Sequence, residues 1–352
     1  MNETVTKVAA VQAAPVFLDI DGSVEKACSL ILEAGRNGAK LVGFPESFIP
    51  AFPFWIFKAG PMGKAADLYM RLRANAMQQG DRHMAKIVSA AREAAIHVCL
   101  SVTELDGGSL YLTQFWFDPS GNLVGKHRKL KPTGPERCIW GEGDGSMMPI
   151  VKAPFGNLGG LQCWEHMVPL ISAAMSAMNE QIHIAAWPGG AFVRGGPYEA
   201  ILNQREQALG PANRDVNPLL PHEIASRYYA MATQTFVLMS THVVAQDAID
   251  AMSIAVDPAE FRIGGGGAQI IAPDGIAIGE PLPHDEEGLV YGDIPLDLIA
   301  AAKYMCDTGG HYSVPDVLSL NFNRERKTPM RATATEGGGF GMSFEDLQCR
   351  KE

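Results

Sequence analysis

The chain has little of what would tie it to a membrane, a nucleic acid, a metal or a disulfide scaffold. No apolar run reaches the roughly 18 residues a membrane-crossing helix needs, and residues 1–15 lack a basic stretch followed by an apolar core. No membrane partner and a cytoplasmic location are therefore expected. Lysine and arginine number 29 against 39 aspartate and glutamate, a formal charge of −10, and basic residues never run longer than two. That argues against a nucleic-acid partner or an anionic surface. The six cysteines, at 28, 99, 138, 163, 306 and 349, stand singly without a C-x-x-C pair, and each reads as a thiol. His222-Glu223 lacks the second histidine of H-E-x-x-H, and the nine histidines do not pair at ligand spacing, so no metal is expected. Residues 121–126 fall one short of a phosphate-binding loop, the glycine run 264–267 has no Lys-Ser/Thr after it and reads as a turn, and no G-x-S-x-G occurs. Nucleotide, metal and serine-hydrolase chemistry all weaken, and no cofactor is expected.

What is present is a packable chain. Hydrophobic residues make up 47% and charged ones 19%, which excludes disorder for most of it, while 352 residues would allow one large domain or two ordinary ones. A short apolar run at 7–13 is followed by a helical pattern, capped at Asp21-Gly-Ser and stopped by Asn37-Gly38, and by a second apolar run at 41–44 ending in Pro45-Glu46. A helix around 81–95 leads into strands at 96–105, 109–117 and 122–126, linked by Gly-rich turns. Strand and helix then alternate: 158–162, 168–178, 183–186, 222–232 and 236–241, with later strands at 268–272, 276–278 and 289–294. One α/β domain of layered sheets and helices over residues 1–323 is expected, with a polar surface insertion at 190–221 and a tail at 324–352.

Cys163 closes an apolar run (Leu161-Gln162) and precedes Trp164-Glu165-His166, where a helix begins. A cysteine there lies near unpaired helix N–H groups that favour a thiolate. Taken alone it is more often inert packing. Glu46 alone could equally be a cap, and Lys129 one charge of a solvated basic run.

Three segments change that weighing: Phe44-Pro45-Glu46 through Pro50; His127-Arg128-Lys129-Leu130 running through Glu136-Arg137 to Trp140-Gly-Glu-Gly-Asp-Gly-Ser146; and Cys163-Trp164-Glu165-His166. In this order they resemble the nitrilase branch of the carbon–nitrogen hydrolase superfamily. The resemblance covers roughly residues 5–323 and takes in Ala186-Trp187-Pro188-Gly189 and His311–Asp316. It implies hydrolysis of a nitrile to acid and ammonia, with Cys163 as nucleophile, Glu46 as base, and Lys129 with the Trp164 N–H holding the developing anion. Glu136 would orient Lys129 and position the substrate or water, and the two nearby carboxylates would raise one another's pKa so that one can act as an acid. Arg137 and Glu142 are expected as ion-pair residues around them.

The same resemblance implies an α-β-β-α sandwich, pairing through helices into an α-β-β-α-α-β-β-α homodimer that builds a larger homo-oligomer or spiral. Departures cluster near the expected pocket. Ala51-Phe52 stands where Gly-Tyr is common, Gly134-Pro135 precedes Glu136, and Val314 replaces a basic residue. With Phe52, Trp164 and Trp187 as pocket residues, arylacetonitriles or other hydrophobic nitriles are the expected substrates. An amidase or cyanide-degrading member of the superfamily is the alternative, and a non-catalytic binding or assembly protein the alternative of another class.

Overall fold

A computed structural model describes residues 5–60, 62–189 and 220–328, together with 204 and 207. The first half builds one sheet. Strand β1 (Val5–Gln12) carries Val8 and Ala10 to one face and Ala9 and Val11 to the other, as period-two alternation requires. It pairs parallel with β2 (Leu41–Gly43), and β2 pairs parallel with β3 (His97–Asp106). Antiparallel β4 (Ser109–Phe117) and β5 (Leu123–Arg128) close that edge, and β12 (Gly288–Pro295) pairs antiparallel with β1 on the other. A second sheet runs β6 (Val151–Ala153), β7 (Gly156–Gln162), β8 (Ile182–Trp187), β9 (Phe236–Thr241), β10 (Gln269–Ile271) and β11 (Ala277–Ile278), parallel through β7, β8 and β9. One bridge, Gln12 to Thr241, links the two.

The inner faces meet in a core of Val8, Ala10, Leu41 and Trp116 against Leu158, Ile184, Leu238 and Ile270. On the outer face of the first sheet lie α1 (Ile20–Arg36) and α3 (Arg82–Ala94), whose Val24, Ile31, Ile87 and Ala91 cover Val11, Val42 and Val98. On the outer face of the second lie α4 (Pro169–Ala177) and α5 (Pro221–Thr233), where Met175, Ala225 and Tyr229 cover Leu161, Ala185 and Val237. The layers are helix, sheet, sheet, helix, as expected for one subunit.

The sequence reading misses α2 (Lys64–Ala74), α6 (Gln246–Met252), α7 (Asp297–Cys306) and the short β6. Helix α2 is weakly amphipathic and begins at Gly63, without a side-chain cap to signal it. The cap of α1 is Asp19, whose carboxylate accepts from the Gly22 amide, so the helix starts a residue before Asp21. The glycine run 264–267 is irregular backbone, with Gly264 at φ +94° bridging antiparallel to Val244. Most of the expected insertion at 190–221 lies outside the described residues; its last residue, Pro221, opens α5. The expected tail is described only to residue 328, and there the Lys327 amide still donates to Asp144 at 2.8 Å, holding this part of it against the domain.

Candidate active site

The residues singled out by sequence converge at the carboxyl ends of the parallel strands of both sheets, where open α/β sheets leave a crevice. Glu46 follows β2, Cys163 follows β7, Trp187 ends β8 and Lys129 follows the antiparallel β5; His242, which the sequence did not point to, follows β9. Lys129 Nζ donates to Glu46 Oε1 at 2.8 Å and to Glu136 Oε2 at 2.7 Å. The Cys163 sulfur and one oxygen of each carboxylate lie within 4.8 Å of one another. All four residues are buried. Such a triad of ligand atoms could hold a cation, but the Lys129 ammonium already occupies the place between the carboxylates.

Each side chain is fixed through its backbone. The Glu46 amide donates to the Trp187 carbonyl at 3.4 Å, and His242 Nε2 donates to the Glu46 carbonyl at 2.5 Å. The Lys129 amide donates to Leu112, and its carbonyl accepts from the Gly143 amide at 2.8 Å. A β-carbon on Gly143 would overlap the Arg128 carbonyl oxygen, so close approach is what this glycine of the Trp140–Ser146 segment supplies. Glu136 sits in a tight turn (Gly134–Cys138) where the Thr133 amide donates to its Oε2 at 2.8 Å. Gly134 has φ +52° and Pro135 occupies the second position of the turn, where no backbone N–H is needed, so that departure from the family's usual residues suits this backbone. The Thr133-x-x-Glu136 spacing is a capping-box signal that the sequence reading passed over.

Cys163 has φ +51°, a left-handed conformation that a residue with a β-carbon adopts at a cost of about 1–2 kcal/mol. Glu165 holds the turn: its carboxylate accepts from the Gln162 amide (2.9 Å), the Leu130 amide (2.8 Å) and His127 Nε2 (3.0 Å). One side chain thus ties the cysteine's turn to the lysine's strand. Neither Glu165 nor His127 was singled out by sequence, since only the fold brings them together. Of the two expected ion-pair residues, Glu142 forms its ion pair with Lys131, whereas Arg137 Nε donates to the Pro132 carbonyl at 3.0 Å.

Electrostatics follow from burial. Loss of solvent pushes the Glu46 carboxyl up from 4.5 to about 8, against the pull of Lys129 and with the push of Glu136. Burial, then Glu46, raises the Cys163 thiol well above its ordinary value, while Lys129 and the Trp164 amide N–H, bonded to the cysteine, oppose it. Burial alone would lower Lys129, but Glu136 and Glu46 outweigh it and hold the ammonium well above its usual range. The resting site therefore holds a thiol beside an unusually basic carboxyl. One Glu46 oxygen, Oε2, is left with no hydrogen-bond partner.

The three expected pocket residues are placed differently from one another. Phe52 is buried among Phe54, Phe57 and Trp140, with ring centroids 5.2, 6.1 and 5.7 Å away. Trp187 is buried, stacked on His166 at 5.2 Å, with Nε1 donating to Ser226. Trp164 is 43% exposed and meets the Trp187 ring edge-on at 6.1 Å. A separate cavity of about 290 Å³ lies beside the Glu136 turn, lined by Trp55, Tyr69, Pro135, Cys138 and Ile139 among others, without any of the four polar residues.

Residues 7–304 match the model of the carbon–nitrogen hydrolase family. The chain belongs to that family. It is 45% identical to a nitrilase of Bacillus sp. (strain OxB-1) over 97% of this chain and 95% of that one. An aliphatic nitrilase of Rhodococcus rhodochrous is 43% identical over 92% of this chain and 84% of its own length. Among solved structures, an amidase from Nesterenkonia sp. has the same fold, with a TM-score of 0.58 at 17% identity over 85% of this chain and 94% of that one. The carbon–nitrogen hydrolase fold expected from the three motifs is thus the one observed.

Proposed function

We propose that this carbon–nitrogen hydrolase is a nitrilase that converts a hydrophobic nitrile to its acid and ammonia through a covalent bond to Cys163. The reading is carried by Lys129 bridging Glu46 and Glu136 at 2.8 and 2.7 Å with the Cys163 sulfur alongside. A nitrile carbon is a weak electrophile, so the site must provide a strong nucleophile and stabilise charge on nitrogen. Glu46 takes the thiol proton as sulfur attacks the nitrile carbon. The nitrogen, held by the Lys129 ammonium and the Trp164 N–H, takes that proton from Glu46 to give a thioimidate and return Glu46 to a carboxylate. Glu46 then deprotonates a water as it adds to that carbon and passes the proton to nitrogen; as the new hydroxyl loses its proton to nitrogen by the same route, the carbon–nitrogen bond breaks, ammonia leaves and a thioester remains. A second water releases the carboxylic acid and returns the thiol. Glu136 keeps Lys129 aimed at the nitrogen. The apolar surroundings of Phe52, Trp140, Trp164 and Trp187 favour arylaceto- and other hydrophobic nitriles over cyanide.

A homodimer built through α4 and α5 fits the exposed apolar residues there. Leu170 is 67% exposed, and Ile224, Tyr228 and Met231 form one stripe along α5 at i, i+4 and i+7. A second copy of this face would cover it. A cytoplasmic location is part of the same proposal; no described helix is long and apolar enough to cross a membrane.

The test is ammonia release from a panel of arylaliphatic, aromatic and aliphatic nitriles beside the matching amides, with Cys163→Ala as control. Expected are faster release from nitriles, no turnover by Cys163→Ala and a substrate-derived mass on Cys163 of the wild type. Faster release from amides, or turnover by Cys163→Ala, would refute the proposal.

A further inference from the structure

We infer that a buried chain of side chains, Tyr229, Glu180, His183 and His166, polarises the Cys163–Trp164 peptide bond from behind and so sharpens the Trp164 N–H as a donor to the substrate nitrogen. This rests on the nitrilase reading above, in which that N–H faces the developing anion. His166 Nδ1 lies 2.6 Å from the Cys163 carbonyl oxygen, and its Nε2 lies 2.9 Å from His183 Nε2. His183 Nδ1 lies 2.7 Å from Glu180 Oε1, and the Tyr229 hydroxyl donates to Glu180 Oε2 at 2.6 Å. All four residues are buried.

The direction of the chain follows from hydrogen counting. A carbonyl oxygen only accepts, so His166 Nδ1 carries hydrogen. Burial pushes His166 down to about 3, holding the ring neutral, so its Nε2 accepts. His183 must then donate from Nε2. The bonds from His183 to His166 and from His166 to the Cys163 carbonyl point the same way, and bonds aligned head to tail strengthen one another, while Glu180, held by the Tyr229 hydroxyl, anchors His183 from behind. The carbonyl at the end of the chain belongs to the same amide unit as the Trp164 N–H. Drawing electron density toward its oxygen makes the N–H a better donor. The same bond also holds Cys163 in its left-handed conformation. His166 is therefore a positioning and polarising residue, not a proton carrier in the reaction. None of the four bonds is used by the Glu46, Lys129 and Glu136 chemistry.

The experiment compares two rates in the full-length protein. One is kcat for a nitrile, which needs the N–H as an anion donor. The other is methylthiolation of Cys163 by methyl methanethiosulfonate, followed by mass, in which attack occurs at sulfur and no nitrogen anion forms. Replacing His166 by Phe is expected to lower kcat by about 10²-fold, the scale of losing one such donor, with KM changed less than about threefold and methylthiolation, which feels the Trp164 N–H only through its bond to the cysteine, falling less than about tenfold. His166→Asn, whose side-chain amide can still donate to the Cys163 carbonyl, is expected to recover at least about tenfold of that loss. Tyr229→Phe, which removes one hydroxyl at the far end, is expected to lower kcat about threefold with methylthiolation unaltered. Should His166→Phe fail to fold, the same two rates in Tyr229→Phe decide. Unchanged kcat in the folded variants, or a parallel fall of both rates, overturns the inference. Turnover by Cys163→Ala would instead overturn the nitrilase reading itself, whatever the His166 variants do.

Discussion

Replacing Glu46 by glutamine is expected to destroy activity and to stabilise the protein, increasingly as pH rises. The carboxyl is fully buried and pushed from 4.5 to about 8. At ~1.4 kcal/mol per tenfold change, that rise corresponds to roughly 5 kcal/mol. The sign follows from which state holds the proton. Between pH 4.5 and about 8 the folded chain keeps a proton that the unfolded chain has lost, so stability falls as pH rises through that window. The glutamine variant has no such decline. The Lys129 bond is already contained in the rise to about 8, and Lys129 stays paired with Glu136 at 2.7 Å in the variant. The net is a gain on the order of 5 kcal/mol at pH 9 and none at pH 4. Urea unfolding of both proteins at the two pH values, at one protein concentration, measures the difference directly. Loss of a general base is expected to lower kcat about 10²–10⁴-fold, and wild-type kcat/KM should climb along a limb centred near 8 that the variant lacks. A variant less stable than wild type at pH 9, or a stability difference independent of pH, would refute the reasoning.

Gly143→Ala should cost more than about 2 kcal/mol and lower kcat, because its β-carbon displaces the Arg128 carbonyl and with it the strand end bearing Lys129; unaltered thermal unfolding would contradict this. Glu104 is buried, bonded by Lys126 at 2.5 Å and Arg128 at 2.8 Å, and held below the usual carboxylate range; burial opposes this, but the Arg128 bond leads the partners that outweigh it. Its contribution is present above pH 4.5 and lost as pH falls through the lowered folded value, so Glu104→Gln should cost about 3 kcal/mol at pH 7 and less in acid, read from unfolding at the two pH values. Tyr228→Asp, on the exposed stripe of α5, should shift the sedimentation of the protein toward a single chain; an unchanged oligomer would remove α5 from the interface.

The alternation of apolar runs and helical periods placed most strands and four of the seven described helices, because β1, β3, β4 and β9 are buried enough to need unbroken apolar or alternating residues. Helix α2 escaped because it is weakly amphipathic, α6 because it spans only seven residues, and α7 because it buries only Ile299. Glu46, Lys129, Glu136 and Cys163 were legible through their flanking motifs. Their numbers alone, 46, 129, 136 and 163, give no hint of contact.

Local sequence decided where strands stop and which polar residue follows each stop, since that depends on neighbours along the chain. It also set the tight turns, through Gly134-Pro135 and Thr133-x-x-Glu136, because backbone conformation there is a property of a few adjacent residues. Only the tertiary structure decided the chemistry of the site. The basicity of Glu46 comes from exclusion of water by both sheets, and the bridge from Lys129 to Glu46 spans 83 residues. The path from Tyr229 to the Cys163 carbonyl likewise exists only because β7, β8 and α5 pack side by side, bringing residues as distant as Glu180 and Tyr229 to 2.6 Å. Burial and long-range juxtaposition are sums over the whole fold, and no stretch of sequence contains them.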